Sequence, residues 1–225
     1  GKASPAKGIK EIRDVLGVKL ADNLISCNYK IFVEGITDKK IVEALMYKIP
    51  KFRNALVNNE ISIEALGGAS KLLSKLYESN NTIFDYYVLL DDDESGRNAY
   101  ETSKAQNLID PSKITFTKCL GKSNSEFEDL VKTEIYIDKV NSKYGMHLKQ
   151  SDFNSMKKWS EQLKICFLNE GKPWDDDLEA EIKKLIADVV CNYLKNNDDI
   201  FIQNRMGPIN SFLSNIELLI GEKTN

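Results

Sequence analysis

The sequence predicts an α/β fold, a parallel sheet flanked by helices and followed by a helical C-terminal part. Two observations carry this. Up to about residue 133, short apolar runs alternate with amphipathic stretches, the pattern of βαβ units. Beyond that point helical periodicity continues without a convincing strand.

Residues 9–24 (IKEIRDVLGVKLADNL) space their apolar side chains as one or two short helices interrupted at Gly17. Residues 30–34 (KIFVE) read as a buried strand, and 38–47 as the helix after it. Residues 61–66 form a second strand, followed by the Gly67-Gly68 turn and a helix over 70–77. Residues 86–91 (YYVLLD) are the strongest strand, followed by a helix from about 96 to 108. Residues 114–118 make a fourth strand, and 126–132 open a further helix. Helical periodicity then covers 153–167, 178–194 and about 203–220. Asp175-Asp176-Asp177 stand where N-terminal caps are favoured, and Gly207-Pro208 marks a break or a start in the last helix. Trp159 is expected in a core. The organisation read from this is a lead-in segment 1–29, an α/β core 30–133, and a helical insertion with a C-terminal helix packing on the core, 134–225.

The 225 residues are 42% hydrophobic and 29% charged, the composition of a folded soluble chain. No apolar run approaches the roughly 18 residues of a membrane helix. A start at Gly1-Lys2-Ala3-Ser4-Pro5, without Met or an apolar signal stretch, is read as an excerpt of a longer chain or a processed form, and the expected location is cytoplasmic. Cys27, Cys119, Cys166 and Cys191 form no C-x-x-C pair, which argues against a zinc site or a disulfide framework. With His147 the sole histidine, any catalytic metal must be held by carboxylates, a ligand set that suits Mg²⁺ or Mn²⁺.

Such carboxylates fall where open parallel sheets place ligand sites, at the C-terminal ends of strands. Glu34 closes the first strand and Asp91 the third, with Asp92, Asp93 and Glu94 directly after it. Glu126, Glu128 and Asp129 follow the fourth. Residues two apart in extended chain face the same side, so Asp91 and Asp93 can address one cation while Asp92 faces away. A divalent ion is the simplest compensation for so many carboxylates in one place.

These residues resemble a known family. VEGITDKKIVEAL (33–45), LGG (66–68) and VLLDDDESG (88–96) are similar to the Toprim domain, with its Glu ending the first strand and D-x-D ending the third. The lead-in 12–35 and SNSEFEDLV (123–131) resemble the Toprim half of the OLD (overcoming lysogenization defect) nucleases, in which the domain usually follows an ABC-type ATPase domain. The resemblance implies a Toprim (Rossmann-like) sheet and metal ligation by Glu34, Asp91 and Asp93. Asp38 matches a further acidic position, and Glu126 with Glu128 a second metal site. It also implies a basic catalytic residue in a C-terminal helix, for which Arg205 stands in a suitable stretch. The expected activity is a two-metal DNA endonuclease or nickase of anti-phage defence. DNA is expected in preference to RNA, with an ATPase domain in the same or a partner chain and room for homo-oligomers.

Lys71, in the turn after Gly67-Gly68, and Lys39, Arg97 and Lys122, beside the acidic motifs, are candidate contacts for a nucleic-acid backbone. Three alternatives stay open: a Toprim ribonuclease, a haloacid-dehalogenase-like phosphatase with Asp91 as nucleophile, and a non-catalytic Toprim assembly module. The phosphatase motif normally ends the first strand and leaves Glu34 without a role. A topoisomerase lacks room for its tyrosine domain, and a primase lacks its zinc cysteines. The net charge of −3 argues little against nucleic acid, because the charge is uneven: 11 basic and 6 acidic side chains in 1–54, against 4 basic and 9 acidic in 170–200.

Overall fold

The computed structural model describes residues 27–80 and 84–221 of the chain. The expected lead-in helices at 9–24 lie outside them. Strand β1 (Tyr29–Val33) is an inner strand, pairing in parallel with β2 (Ile61–Ala65) on one side and β3 (Asp85–Leu90) on the other. The short β4 (Ile114–Phe116) adds in parallel beyond β3, giving the order β2-β1-β3-β4. Strands covered on both faces read as continuous apolar runs, and the two-residue period sorts their side chains. Ile31, Val33, Tyr87 and Leu89 enter one core cluster, while Phe32, Val88 and Leu90 enter a second on the opposite face.

Helices cover both faces. Between β1 and β2 come α1 (Ile36–Lys48) and α2 (Pro50–Val57), whose Ile41, Val42, Met46 and Phe52 join the first cluster. Pro50 fits the first turn of α2, where no N–H is missed. Between β2 and β3, a 3₁₀ turn (Ala69–Lys71) leads into α3 (Leu72–Asn80), with Leu72 and Leu76 in the second cluster. Helix α4 (Glu94–Ala105) joins β3 to β4.

The rest is helical: α5 (Ile137–Tyr144), α6 (Trp159–Asn169), α7 (Asp176–Leu194) and α8 (Gly207–Gly221). It has no core of its own. The first cluster runs without a break from the sheet into α5–α8, α7 packs along α1, and α8 lies against β4. Phe212 of α8 sits edge-on to Tyr87 at 5.9 Å, and the Asn215 amide donates to the Tyr87 hydroxyl at 2.7 Å. Full burial of a side chain such as Phe212 contributes about 1.5–3 kcal/mol. Trp159 is in the core as expected, stacked on Phe153, and its indole N–H donates to the Tyr136 hydroxyl at 2.9 Å.

Helices α2 and α5 fall outside the expected helical spans, and two of the expected elements take another form. Residues 126–132 form a single 3₁₀ turn (Phe127–Asp129) rather than an α-helix. The Asp129 carboxylate accepts the Glu126 N–H at 3.0 Å and the Trp159 N–H at 3.1 Å, and the chain then leaves in an isolated antiparallel bridge between Val131 and Phe201. Similarly, the helix expected over 153–167 begins only at Trp159, because 154–158 form a loop in which the Ser155 N–H donates to the Gln162 side chain.

The capping reading of the acidic triplet is met by Asp175, whose side chain accepts the Leu178 N–H at 2.8 Å, with Asp176 and Asp177 in the first turn of α7. Replacing Asp175 with Ala is expected to cost about 1 kcal/mol in urea unfolding. A value near zero would mean that this cap contributes nothing. Among the described residues, no helix is long and apolar enough to cross a membrane.

Candidate functional site

Glu34 leaves the end of β1 at the C-terminal edge of the sheet. Its carbonyl accepts the N–H groups of Gly67 (3.0 Å) and Gly68 (3.2 Å), which converge on it because both glycines adopt positive φ, 75° and 111°. Its carboxylate accepts the Asp91 N–H at 3.2 Å, which ties the ends of β1 and β3 together. Asp38, in the first turn of α1, is buried and accepts the Gly35 N–H at 2.8 Å.

Asp91 receives the Thr117 hydroxyl at 3.2 Å. Asp92 turns away from it, as the alternation requires, and pairs with Arg97 at 2.8 Å. Asp93 is the N-cap of α4, its Oδ1 accepting the Gly96 N–H at 3.0 Å while its Oδ2 accepts the Lys158 ammonium at 3.0 Å. Position 96 needs glycine, since a Cβ there would lie 2.2 Å from the Asp91 carbonyl oxygen. Close packing of α4 onto the end of β3 therefore sets Asp91 and Asp93 in place.

The second group arrives from the 3₁₀ turn. Glu126 and Glu128 are almost fully buried, and between them reaches Lys183 from the middle of α7, 2.8 Å from Glu126 and 3.8 Å from Glu128. The Ser160 N–H also donates to Glu126. The two groups share one electrostatic field. Burial, then Asp38 and Glu34, push the Asp91 carboxyl well above the usual range. Burial also raises Glu34, with Asp93 and Asp38 adding to it against the Asp91 N–H, and burial raises Asp38 against the Gly35 N–H. Burial pushes Glu128 up to about 8, with Glu126 and Asp38 adding and Lys183 opposing. Glu126 lies low despite burial, because Lys183, Lys158 and the Ser160 N–H together outweigh it. Asp93 likewise lies low, held by the Gly96 N–H and Lys158 against its burial. The Lys183 ammonium is held well above its ordinary value, burial being outweighed by Glu128, Glu126 and Asp91.

The expected acidic positions thus share a neighbourhood: Glu34, Asp38, Asp91, Asp93, Glu126 and Glu128 against Lys183 and Lys158. The chain matches no family model, no curated protein and no solved structure. Among the described residues, no set of three or more His, Cys, Asp and Glu side chains is arranged to hold a metal ion.

The basic candidates fare differently. Arg205 donates to the Asp129 carbonyl at 2.7 Å and lines a cavity of about 290 Å³ that it shares with Glu128, Trp159 and Gln203, while the cations paired with the site's carboxylates are Lys183 and Lys158. Lys122 corrects the expectation of a nucleic-acid contact. Its side chain is 2% exposed, pairs with Asp129 at 2.9 Å, and donates to the Ser155 and Lys157 carbonyls, so it ties two loops together instead of meeting solvent. Arg97 is engaged by Asp92 and Asn124, and Lys39 by Glu43 at 3.7 Å. Lys71 is exposed at the turn after Gly68. Lys183, Lys158 and Thr117 were missed by sequence reasoning. The lysine partners lie 57 and 65 residues away, and no local spacing announces them.

Proposed function

We propose that the chain is a divalent-metal-dependent nuclease, the Toprim part of an OLD-like defence protein. It would act on DNA in preference to RNA in the cytoplasm, with an ABC-type ATPase domain as partner. The observation that carries this reading is the tie between Glu34 and Asp91 at the C-terminal edge of β1 and β3, with Asp93 at the head of α4. The donors are all oxygen atoms, the kind that hard cations take, although no three of the described side chains are arranged to hold an ion in the metal-free chain. Burial first, and mutual repulsion second, raise Asp91, Glu34, Asp38 and Glu128, and a divalent ion would offset the repulsion.

Glu34, Asp91 and Asp93 would hold one ion, and Asp38, Glu126 and Glu128 would contribute to a second. Mg²⁺ or Mn²⁺ bound there would supply the Lewis acidity that phosphodiester hydrolysis needs. The chain's own groups do the rest. The Asp91 N–H orients the Glu34 carboxylate, Thr117 orients that of Asp91, and the Gly96 N–H fixes one oxygen of Asp93. Glu128, at about 8, keeps a proton on its carboxyl at neutral pH while no metal is bound, which limits repulsion in the closed site. Lys183 gives the site a fixed positive charge that lowers the cost of bringing a phosphodiester close.

The test is cleavage of supercoiled plasmid with Mg²⁺ or Mn²⁺, beside a structured RNA. Nicked or linear DNA that disappears in chelator and with Glu34→Gln is expected. Equal cleavage by Glu34→Gln would exclude the site, and faster RNA cleavage would move the reading to a ribonuclease.

A further inference from the structure

We propose that two loops beside the site form a nucleic-acid wedge: Leu120 and Met156 enter between base steps of a duplex while Lys118 and Lys157 hold phosphates on either side. The inference rests on the nucleic-acid part of the reading above and adds the surface that seats the substrate, without drawing on a metal ion.

Loop 117–124 follows β4, and loop 154–158 leads into α6. Leu120 is 92% exposed and Met156 67%, among the most exposed large apolar side chains of the described residues. Leucine and methionine are side chains that minor-groove proteins insert between base steps, and a wedge that unstacks bases must not yield. The loops are braced accordingly. The buried Lys122 ammonium pairs with Asp129 at 2.9 Å and donates to the Ser155 and Lys157 carbonyls, so one side chain fastens each loop within two residues of its apolar tip. The Ser125 hydroxyl donates to the Thr117 carbonyl at 2.8 Å and accepts the Cys119 N–H at 3.0 Å, which closes the base of the first loop.

The charge of this surface suits an anionic partner. Neither loop contains an acid. Lys122 and Lys158 are taken by Asp129 and Asp93, whereas Lys118 and Lys157 are exposed and have no ion-pair partner among the described residues. The basic surface ends at Lys158, where Asp93, Glu94 and Glu161 line a cleft whose charge repels phosphates. The duplex therefore rides on the loop tips and not in the cleft. A lipid surface is anionic too, but two isolated tips offer it little apolar area to bury, whereas a wedge needs only one side chain at a base step.

The experiment compares wild type with the double variants Leu120→Ala/Met156→Ala, Leu120→Met/Met156→Leu and Lys118→Gln/Lys157→Gln, each checked for an unchanged melting temperature. Binding of a labelled DNA duplex in chelator is read across a salt series, and a fluorescent adenine analogue in the duplex reports unstacking. Wild type is expected to bind and to raise the fluorescence. The alanine variant should bind about tenfold more weakly, the scale of truncating an anchoring side chain, with its salt slope kept and the fluorescence rise lost. The Leu/Met exchange keeps two apolar tips and should stay near wild type. The glutamine variant should show a salt slope smaller by about two, one for each phosphate contact removed. Unchanged duplex binding in the alanine variant overturns the proposal, as does an unchanged salt slope in the glutamine variant. Wild type that binds phosphatidylserine vesicles but no duplex also overturns it, in favour of a membrane surface. The nuclease reading fails separately, through plasmid cleavage that survives Glu34→Gln, whatever the duplex binding shows.

Discussion

Lys183→Met is expected to cost about 3–5 kcal/mol at pH 8 in chelator, because it leaves Glu126 and Glu128 buried without their cation. The loss should depend on pH in a definite direction. In the wild type, the raised Lys183 pKa contributes stability that is fully present below the unfolded lysine value of 10.5 and is lost only as pH rises through the higher folded value. Without the lysine, burial of Glu126 is opposed only by Lys158 and the Ser160 N–H, and its carboxyl is expected to rise. A raised carboxyl binds more protons in the folded state, so the deficit is full at alkaline pH and shrinks as pH falls towards the unfolded value of 4.5. Urea unfolding of both proteins at pH 8 and pH 5 measures this. A deficit of the same size at both pH values, or below about 1 kcal/mol at pH 8, would show that Lys183 is not the charge that holds these acids in place.

Asp91→Asn should move stability and activity in opposite directions. Asp91 has its pKa raised by burial, Asp38 and Glu34, so its favourable contribution exists at acid pH and is lost as pH climbs from the unfolded value of 3.8 through the folded one. The neutral amide escapes that cost and still offers an oxygen to the Thr117 hydroxyl. The metal-free variant is expected to be more stable than wild type at pH 7.5, because it no longer carries a carboxyl that binds its proton more tightly in the folded than in the unfolded chain. On the nuclease reading, plasmid cleavage should fall more than about a hundredfold, since even outer partners of metal ligands cost tenfold to a hundredfold. Thermal unfolding in chelator beside the cleavage assay decides it. A less stable Asp91→Asn would mean that the carboxylate is held by favourable contacts, and retained cleavage would remove Asp91 from the site.

The parts of the fold legible in the sequence are those with a local cause. Strands with long apolar runs such as β1 (from Ile31) and β3 (from Tyr86), each followed by a helix, specify a covered parallel sheet because burial on both faces suits them. Asp175 announces the start of α7 by the same local logic. Phe127, Leu130 and Val131, spaced at i, i+3 and i+4, imitate a helical stripe, yet the turn is decided by Asp129 reaching across to the Trp159 N–H, a contact that spacing cannot reveal. The acidic half of the site follows from strand ends and is therefore visible in one dimension. Its basic half is not. Arg205 and Lys183 are both cations in C-terminal helical segments, and only the packing of α7 along α1 determines that Lys183 meets the carboxylates while Arg205 binds a carbonyl behind them. Lys122 shows the converse, a surface charge by its composition and a buried strut by its contacts.

Because the sheet and the helical part share one apolar cluster, the order of synthesis matters. A ribosome that has released residues up to about 133 has delivered every carboxylate of the site, with neither Lys158 nor Lys183 yet made. At that moment the apolar face of the sheet lacks its cover and the acids lack their counter-charge, so burial of these acids waits for α7 to emerge. Any catalytic competence is thus acquired late in translation, after the nascent chain has passed the stage at which an unneutralised, half-covered sheet invites misassembly.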